Sequence, residues 1–295
     1  MQPFSLRQKE LYETHLAESS EYKRSLDKFG FVFGIRLKEQ LLRRILKNLK
    51  ILPEQKVLDI GCRDARFLER MYFQYGVRGI GMDIAFNQLK ADKEHNVGGT
   101  RFCCADAQNL PFRESIFDRA FCFDVFEHLS EWRGSLKEVY RIIKPGGVAV
   151  IYTISRKNRF CWHWFLQKIS FGRLGVDKGE FEDHDEDNFL AALDIIEHAK
   201  ELGFQAKPPV YFHAFFTLAF DELWPKFINY VFRKIAKKKN LSLSLPESGK
   251  ESSAPLGVRI CAAIASKLLP IFEIADLPWT MKGRSNGFYI ILNKP

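Results

Sequence analysis

Residues 56–84 read KVLDIGCRDARFLERMYFQYGVRGIGMDI, and the spacing of apolar residues within them decides the fold. Val57, Leu58 and Ile60 form an apolar run too short for a helix, as in a parallel strand covered on both faces. Gly61 marks a turn. Asp64 is placed to cap a helix whose apolar residues Phe67, Leu68, Met71 and Tyr72 recur at three and four positions, and Gly76 supplies the stop. A second strand runs from Gly79 to Asp83.

This strand, helix, strand unit places a ligand beyond the carboxyl ends of the strands, where backbone amides of the turn face it. A carboxylate ending the second strand reaches ribose hydroxyls, and Asp83 stands about 20 residues beyond the turn, the offset that role requires. A pyrophosphate needs a glycine-rich turn to approach the backbone. Here Gly61-Cys62-Arg63-Asp64-Ala65-Arg66 keeps only the first glycine, which disfavours a dinucleotide.

Four stretches in register carry a more specific signal. VLDIGC with GIGMDI, FCCADAQNLPF (102–112), FDRAFCFDVFEHL (117–129) and LKEVYRIIKPGGVAVI (136–151) resemble successive signatures of class I S-adenosylmethionine-dependent methyltransferases, in particular the type 11 branch. The resemblance covers about residues 45–155 well and 184–212 loosely. It implies that Asp59, Gly61 and Cys62 orient the methionine end of the cofactor, that Asp83 and Ile84 hold the ribose, and that Asp106 and Ala107 hold the adenine. The Phe123 backbone is implied to lie near the methionine amine. His128 and His184 are implied to face the methyl acceptor, with His128 the preferred base. From the residues alone, Asp106 has the alternative reading of a turn carboxylate, and His128 that of a histidine that shapes its loop.

The remaining strands follow the same logic. Arg101 to Ala105 forms the third, Asp118 to Phe123 the fourth and Val148 to Thr153 the fifth, with a short helix at Ala85 to Asp92. Ser130 is expected to cap the helix carrying Leu136, Val139, Tyr140 and Ile143, which Lys144-Pro145-Gly146-Gly147 ends. A sixth strand near Phe204 to Val210 and an antiparallel seventh at 287–292 complete the sheet.

Two helices precede this core: a charged one over 5–28, and a second from Ile35 to Leu49 stopped by Pro53, with Phe29 to Gly34 between them as a hinge. Between the last two strands Phe212, Phe216, Phe220, Leu223, Phe227 and Tyr230 repeat at helical spacing. Basic residues then accumulate over 226–239 without an acid, and 240–255 reads as a flexible loop. An aromatic helix ending in cations suits either an anionic membrane surface or an internal cap with a solvated basic end. Phe160, Trp162, Trp164, Phe165 and Phe171 form a second aromatic segment, read as acceptor wall or as helix core.

Composition sets the outer limits. The net charge of +9 favours an anionic partner, and an aromatic helical stripe suits a membrane better than RNA, which disfavours nucleic acid. The six cysteines show no paired metal spacing, and the acidic residues around His184 lack a second histidine, so no metal is expected. No stretch reads as a signal peptide or a spanning helix, which points to the cytoplasm or the inner face of its membrane.

The fold expected is α/β: a Rossmann-like, seven-stranded, mostly parallel sheet with N-terminal helices and a helical insertion before the last strand. Residues 1–52 are expected as helices that form a lid over the cofactor site, as the resemblance implies, or pack on the sheet edge, with 53–212 the cofactor-binding core, 213–285 the insertion and 286–295 the last strand. The function expected is methyl transfer from S-adenosyl-L-methionine to a small-molecule or lipid-like acceptor. Because Arg63 and Ala65 stand where motif I usually has glycine, the alternative is a catalytically inactive scaffold of the same fold, at a membrane surface or in a protein complex.

Overall fold

The structure, a computed structural model, describes residues 35–63, 65–87, 100–171, 189–221 and 256–295, with single positions at 89, 223, 224, 227 and 230. The expected helix at 5–28 and its hinge, the Asp64 cap, the acidic run around His184, the lysine cluster beyond Asp221 and the loop 240–255 lie outside the described residues.

Helix α1 (Ile35–Leu49) precedes strand β1 (Val57–Ile60), helix α2 (Arg66–Tyr75) and strand β2 (Ile80–Asp83). Strands β3 (Arg101–Cys104) and β4 (Phe117–Phe123) follow, then a single 3-10 turn over Phe126–His128. Helix α3 (Trp132–Ile142) runs directly into β5 (Ile143–Ile154), and α4 (Trp162–Ile169) and α5 (Ala192–Glu201) come next. After β6 (Gln205–Ala206) and β7 (Val210–Phe212), the chain makes α6 (Leu256–Ala275), α7 (Leu277–Thr280) and β8 (Gly287–Asn293).

These strands form one sheet in the order β3-β2-β1-β4-β5-β8-β6, with β7 also paired to β8. β1 to β5 are parallel, and β8 enters antiparallel against β5 in an unbroken register from Val148 with Asn293 to Ile154 with Gly287. The sheet has eight strands where seven were expected, because the sixth is split. Lys207-Pro208-Pro209 interrupts it, and proline has no N–H to give the ladder.

Both sheet faces are covered, so β1 reads as continuously buried. On one face Leu58, Ile60, Ala120 and Cys122 meet Leu136, Val139, Ile195 and Ile196. On the other, Val57, Phe121 and Val150 meet Ile45 and Leu46 of α1 and Leu68 and Met71 of α2. The alternation along β1 and β4 therefore distributes side chains between two cores and leaves only the strand ends free for chemistry.

Helix α2 starts at Arg66 with Ala65 in the cap position, and one cap assignment differs from expectation. Helix α3 is capped by Glu131, whose Oε1 accepts from the Arg133 amide at 3.2 Å. Ser130 instead donates its hydroxyl to Gln108 Oε1 at 3.1 Å, so a partner distant in sequence takes the expected cap residue away.

Candidate cofactor and acceptor site

The turn after β1 is built around Gly61. Its φ is +72°, and a Cβ there would sit 2.3 Å from Val125 Cγ2, so both backbone angle and space require glycine. The Gly61 and Cys62 amides donate to the Met82 carbonyl at 2.7 and 3.0 Å, which binds the turn to the end of β2.

Arg63 and Ala65 also occupy the left-handed region, at φ +47° and +54°. The chain thus keeps the path that glycines would give it, and these residues carry the strain. Left-handed angles cost an L-residue roughly 1–2 kcal/mol, and glycine would return up to about 1 kcal/mol of that to unfolded-chain entropy. Because Arg63 is exposed, Arg63→Gly is expected to stabilise the protein by about 0.5–1 kcal/mol in urea unfolding. A loss of stability would mean that the arginine side chain makes contacts that outweigh its backbone strain.

Asp83 closes the turn from the other side. Its Oδ2 accepts from the Arg63 amide at 2.9 Å and its Oδ1 from the Ala85 amide at 3.0 Å. Burial pushes its pKa above the ordinary 3.8, against the lowering effect of those backbone donors and of Arg63. Ile84, between them, is half-buried and gives its carbonyl to Cys104 Sγ.

The loop after β3 is held by more contacts than its sequence suggests. Asp106 Oδ1 accepts from the Gln108 amide at 2.8 Å, and the Asp106 carbonyl from the Asn109 amide at 3.0 Å, so this carboxylate shapes its own turn. Ala107 is half-buried against the main core. Gln108 Oε1 accepts from both Ser130 Oγ and the Glu131 amide, bridging this loop to the one after β4. Arg141 donates to the carbonyls of Leu110 and Phe112, and Glu138 accepts from the Leu110 amide. The Arg141 guanidinium holds the Glu138 carboxyl below its usual range, so this clamp is ionic near neutral pH. Sequence reasoning missed Gln108, Glu138 and Arg141, although a polar side chain directly after a strand end was the available signal.

At the end of β4, Asp124 has a φ of +52° and its amide donates to the Tyr152 carbonyl at 3.1 Å. Such angles in a non-glycine residue concentrate at functional sites. Phe123 lies between the rings of Phe67 and Tyr152. Glu127 is buried and accepts from Thr153 Oγ1 at 2.7 Å. His128, half-buried, ends the 3-10 turn and donates its amide to the Val125 carbonyl at 2.9 Å.

These carboxylates act together. Burial first, and then Glu127, Asp59 and Asp124, raise the Cys122 thiol well above its ordinary value. Burial, Asp124 and Glu127 do the same to the Tyr152 phenol. Asp59, Asp124 and Glu127 thus lie close together towards the carboxyl ends of β1 and β4, with Asp83 ending β2 and Asp106 in the loop after β3. That set of acceptors suits a ligand that brings hydroxyl and amino donors and a positive charge. S-adenosylmethionine, with ribose hydroxyls, an ammonium and a sulfonium, is such a ligand.

Two further histidines border the same edge and were not singled out in the sequence. His213 follows β7 with a φ of +55° and accepts the Asn286 amide on its carbonyl at 2.8 Å. His163, on α4, pairs Nδ1 with Asn286 Oδ1 at 3.3 Å. The aromatic segment around α4 packs on the insertion: Trp162 and Phe165 each meet the Phe215 ring at 5.6 Å, and Trp279 Nε1 donates to the Phe160 carbonyl at 2.9 Å. His184 lies outside the described residues. Among those described, no cluster of His, Cys, Asp or Glu has the arrangement of a metal site, and five cysteines are free thiols.

The parallel sheet with its antiparallel last strand, and the carboxylates at its strand ends, match the fold of class I methyltransferases, enzymes of type EC 2.1.1 that use S-adenosylmethionine as cofactor. Residues 58–151 match the family model described as "Methyltransferase domain". The demethylmenaquinone methyltransferase of Staphylococcus carnosus is 28% identical over 167 residues, covering 53% of this chain and 69% of that protein. The 24-methylenesterol C-methyltransferase 2 of Arabidopsis thaliana is 24% identical over 203 residues, covering 66% of this chain but only 53% of its own length. Among solved structures, the phosphoethanolamine N-methyltransferase 2 of Haemonchus contortus with S-adenosylmethionine superposes with a TM-score of 0.52 at 17% identity, over 87% of this chain and 52% of that one. That similarity speaks for the fold.

Proposed function

We propose that the protein transfers a methyl group from S-adenosylmethionine to a small-molecule or lipid-like acceptor, held between the carboxyl edge of the sheet and the aromatic rings of α4 and the insertion. The observation that carries this is the grouping of Asp59, Asp124 and Glu127 at the strand ends, with Asp83 bound to a glycine turn whose left-handed angles persist at Arg63 and Ala65. The cofactor, when bound, supplies a methyl on a positively charged sulfur, ready for displacement by an aligned nucleophile. The chain's own residues then have three tasks. Asp83, with the Ile84 backbone, accepts from the ribose hydroxyls, and Asp106 and Ala107 take the adenine edge. Asp59, Gly61, Cys62 and the Phe123 backbone position the methionine end. For an oxygen or nitrogen acceptor, His128 takes the proton, with His184 as a second group on the acceptor side.

We take residues 1–52 as a lid on this site and 213–285 as the insertion that completes the acceptor wall. The names of the relatives, which include quinone and sterol methyltransferases, support a lipid-like acceptor. A cytoplasmic protein that meets the inner face of a membrane through 212–239 fits the same proposal. The left-handed angles at Arg63 and Ala65 favour the enzyme over an inactive scaffold, because the turn keeps backbone angles that glycine would take.

Calorimetric titration with S-adenosylmethionine tests the site. Wild-type binding should weaken by about 100-fold or more in Asp83→Ala, the loss of two hydrogen bonds to a charged acceptor. The pH dependence has a defined sign. Ribose donors need the ionised carboxylate, and the folded Asp83 takes up its proton at a higher pH than an ordinary aspartate. Affinity should therefore fall as pH drops, beginning above the range where a free carboxylate titrates, and Asp83→Asn should remove that dependence. Absence of cofactor binding by folded wild-type protein would return the scaffold alternative to the lead.

A further inference from the structure

We infer that the α6–α7 face is an anionic membrane-docking surface. The winding of α6 does not stop at Ala275: the amides of Asp276, Thr280 and Met281 donate to the carbonyls of Phe272, Asp276 and Leu277, so helical spacing continues through α7. Along this run Ile264, Lys267, Ile271, Ile274 and Met281 recur at three, four and seven positions and share one side. The opposite side is the packed one, with Leu269 buried and the Phe272 ring stacked on Phe220 at 4.6 Å. Ile274 is 65% exposed and Met281 82%, and Ile271 and Leu277 are exposed beside them. A helix apolar on all sides normally lies inside a core. This one presents an aliphatic ridge to the outside.

Charge selects the occupant. The two acids of the run are engaged within the protein. Glu273 pairs with Arg44 on α1 at 2.9 Å, and Asp276 is buried. Among the described residues, the exposed charges left on the ridge and its end are Lys267, Lys282 and Arg284, all cationic. Aliphatic side chains rimmed by cations match the boundary between headgroups and acyl chains of an anionic bilayer. No helix among the described residues is long and apolar enough to cross a membrane, so the contact is peripheral. The ridge lies on the side of α6 away from the Phe272–Phe220 stack, so docking there would leave the aromatic packing of the insertion intact. The inference deepens the proposed lipid-like acceptor and rests on it.

The test is co-sedimentation of the full chain with vesicles of phosphatidylcholine alone, and with vesicles in which phosphatidylglycerol replaces part of it. Binding is expected to the mixed vesicles and to weaken in high salt. The double variant Ile271→Glu with Ile274→Glu places charge on the ridge and should weaken vesicle binding by roughly 100-fold, while Lys267→Glu with Lys282→Glu should abolish the preference for phosphatidylglycerol. Calorimetric S-adenosylmethionine binding in solution, expected to be unchanged in both variants, reports the fold and the cofactor site separately. Wild-type protein that binds the cofactor but stays in the supernatant with both vesicles overturns the membrane inference alone. Loss of cofactor binding in wild-type protein strikes the proposed function instead. Light scattering that shows a dimer broken by the Ile271→Glu, Ile274→Glu pair would assign the ridge to a second copy, and also overturns it.

Discussion

Gly61→Ala is expected to destabilise the protein by about 2–4 kcal/mol in urea unfolding and to abolish cofactor binding. Two separate costs add. The left-handed φ of +72° penalises any Cβ, and that Cβ would lie 2.3 Å from Val125 Cγ2. Val125 is β-branched and cannot swing away without leaving its preferred rotamer. It also precedes the turn that carries Glu127 and His128, so the clash would move the acceptor side together with the cofactor side. The double variant Gly61→Ala with Val125→Ala separates the terms: it should relieve the contact and leave only the backbone cost, at most about 2 kcal/mol. An unchanged stability in the single variant would show that the turn has a looser geometry than the hydrogen bonds to Met82 imply.

Asp276→Ala should cost about 3–5 kcal/mol, a comparable loss from a residue remote from the cofactor turn. The Asp276 carboxylate is buried between α6 and α7. It accepts from the amides of Ala214, Phe215, Phe216 and Thr217 at 2.8–3.1 Å and from Thr217 Oγ1 at 2.5 Å. Those amides are the free donors that open the helix at 216–221, whose N-terminal dipole also favours a negative charge there. One side chain thus fastens the start of the insertion to its end. Its removal strands several buried donors at once, and the stacking of Phe215 on Trp279 would loosen with them. Asp276→Asn keeps one acceptor oxygen and should lose about half as much. The cofactor site lies on other strand ends, so S-adenosylmethionine affinity should change little in folded Asp276→Asn. Equal losses for alanine and asparagine would mean that the charge, rather than the number of accepted bonds, holds the insertion.

The strands and the cofactor edge were legible in the sequence because their causes are local. Val57 to Ile60, Gly76, the Asp83 strand end and the antiparallel stretch at 287–292 are set by apolar runs, by glycine's access to positive φ and by the two-residue period of a strand, all visible within a few neighbouring residues. Asp83 and Asp124 could be placed at strand ends for the same reason. The Ser130 cap failed because Gln108, distant along the chain, competes for that hydroxyl. The sixth strand was drawn whole because its apolar pattern outweighed the two prolines that break its ladder.

The α/β order, the strand ends at which the carboxylates gather and the type of ligand they suit are written in the chain's local pattern. That Arg63 and Ala65 take left-handed angles, that Gln108 and Arg141 fix the loop after β3, and that Asp276 closes the insertion emerge only from the folded chain. The physical reason is range. Propensity and periodicity act between residues a few positions apart, whereas a hydrogen bond such as that from the Thr217 hydroxyl to Asp276, or a clash such as that between Gly61 and Val125, exists only once the packed sheet has brought distant segments within a few ångströms.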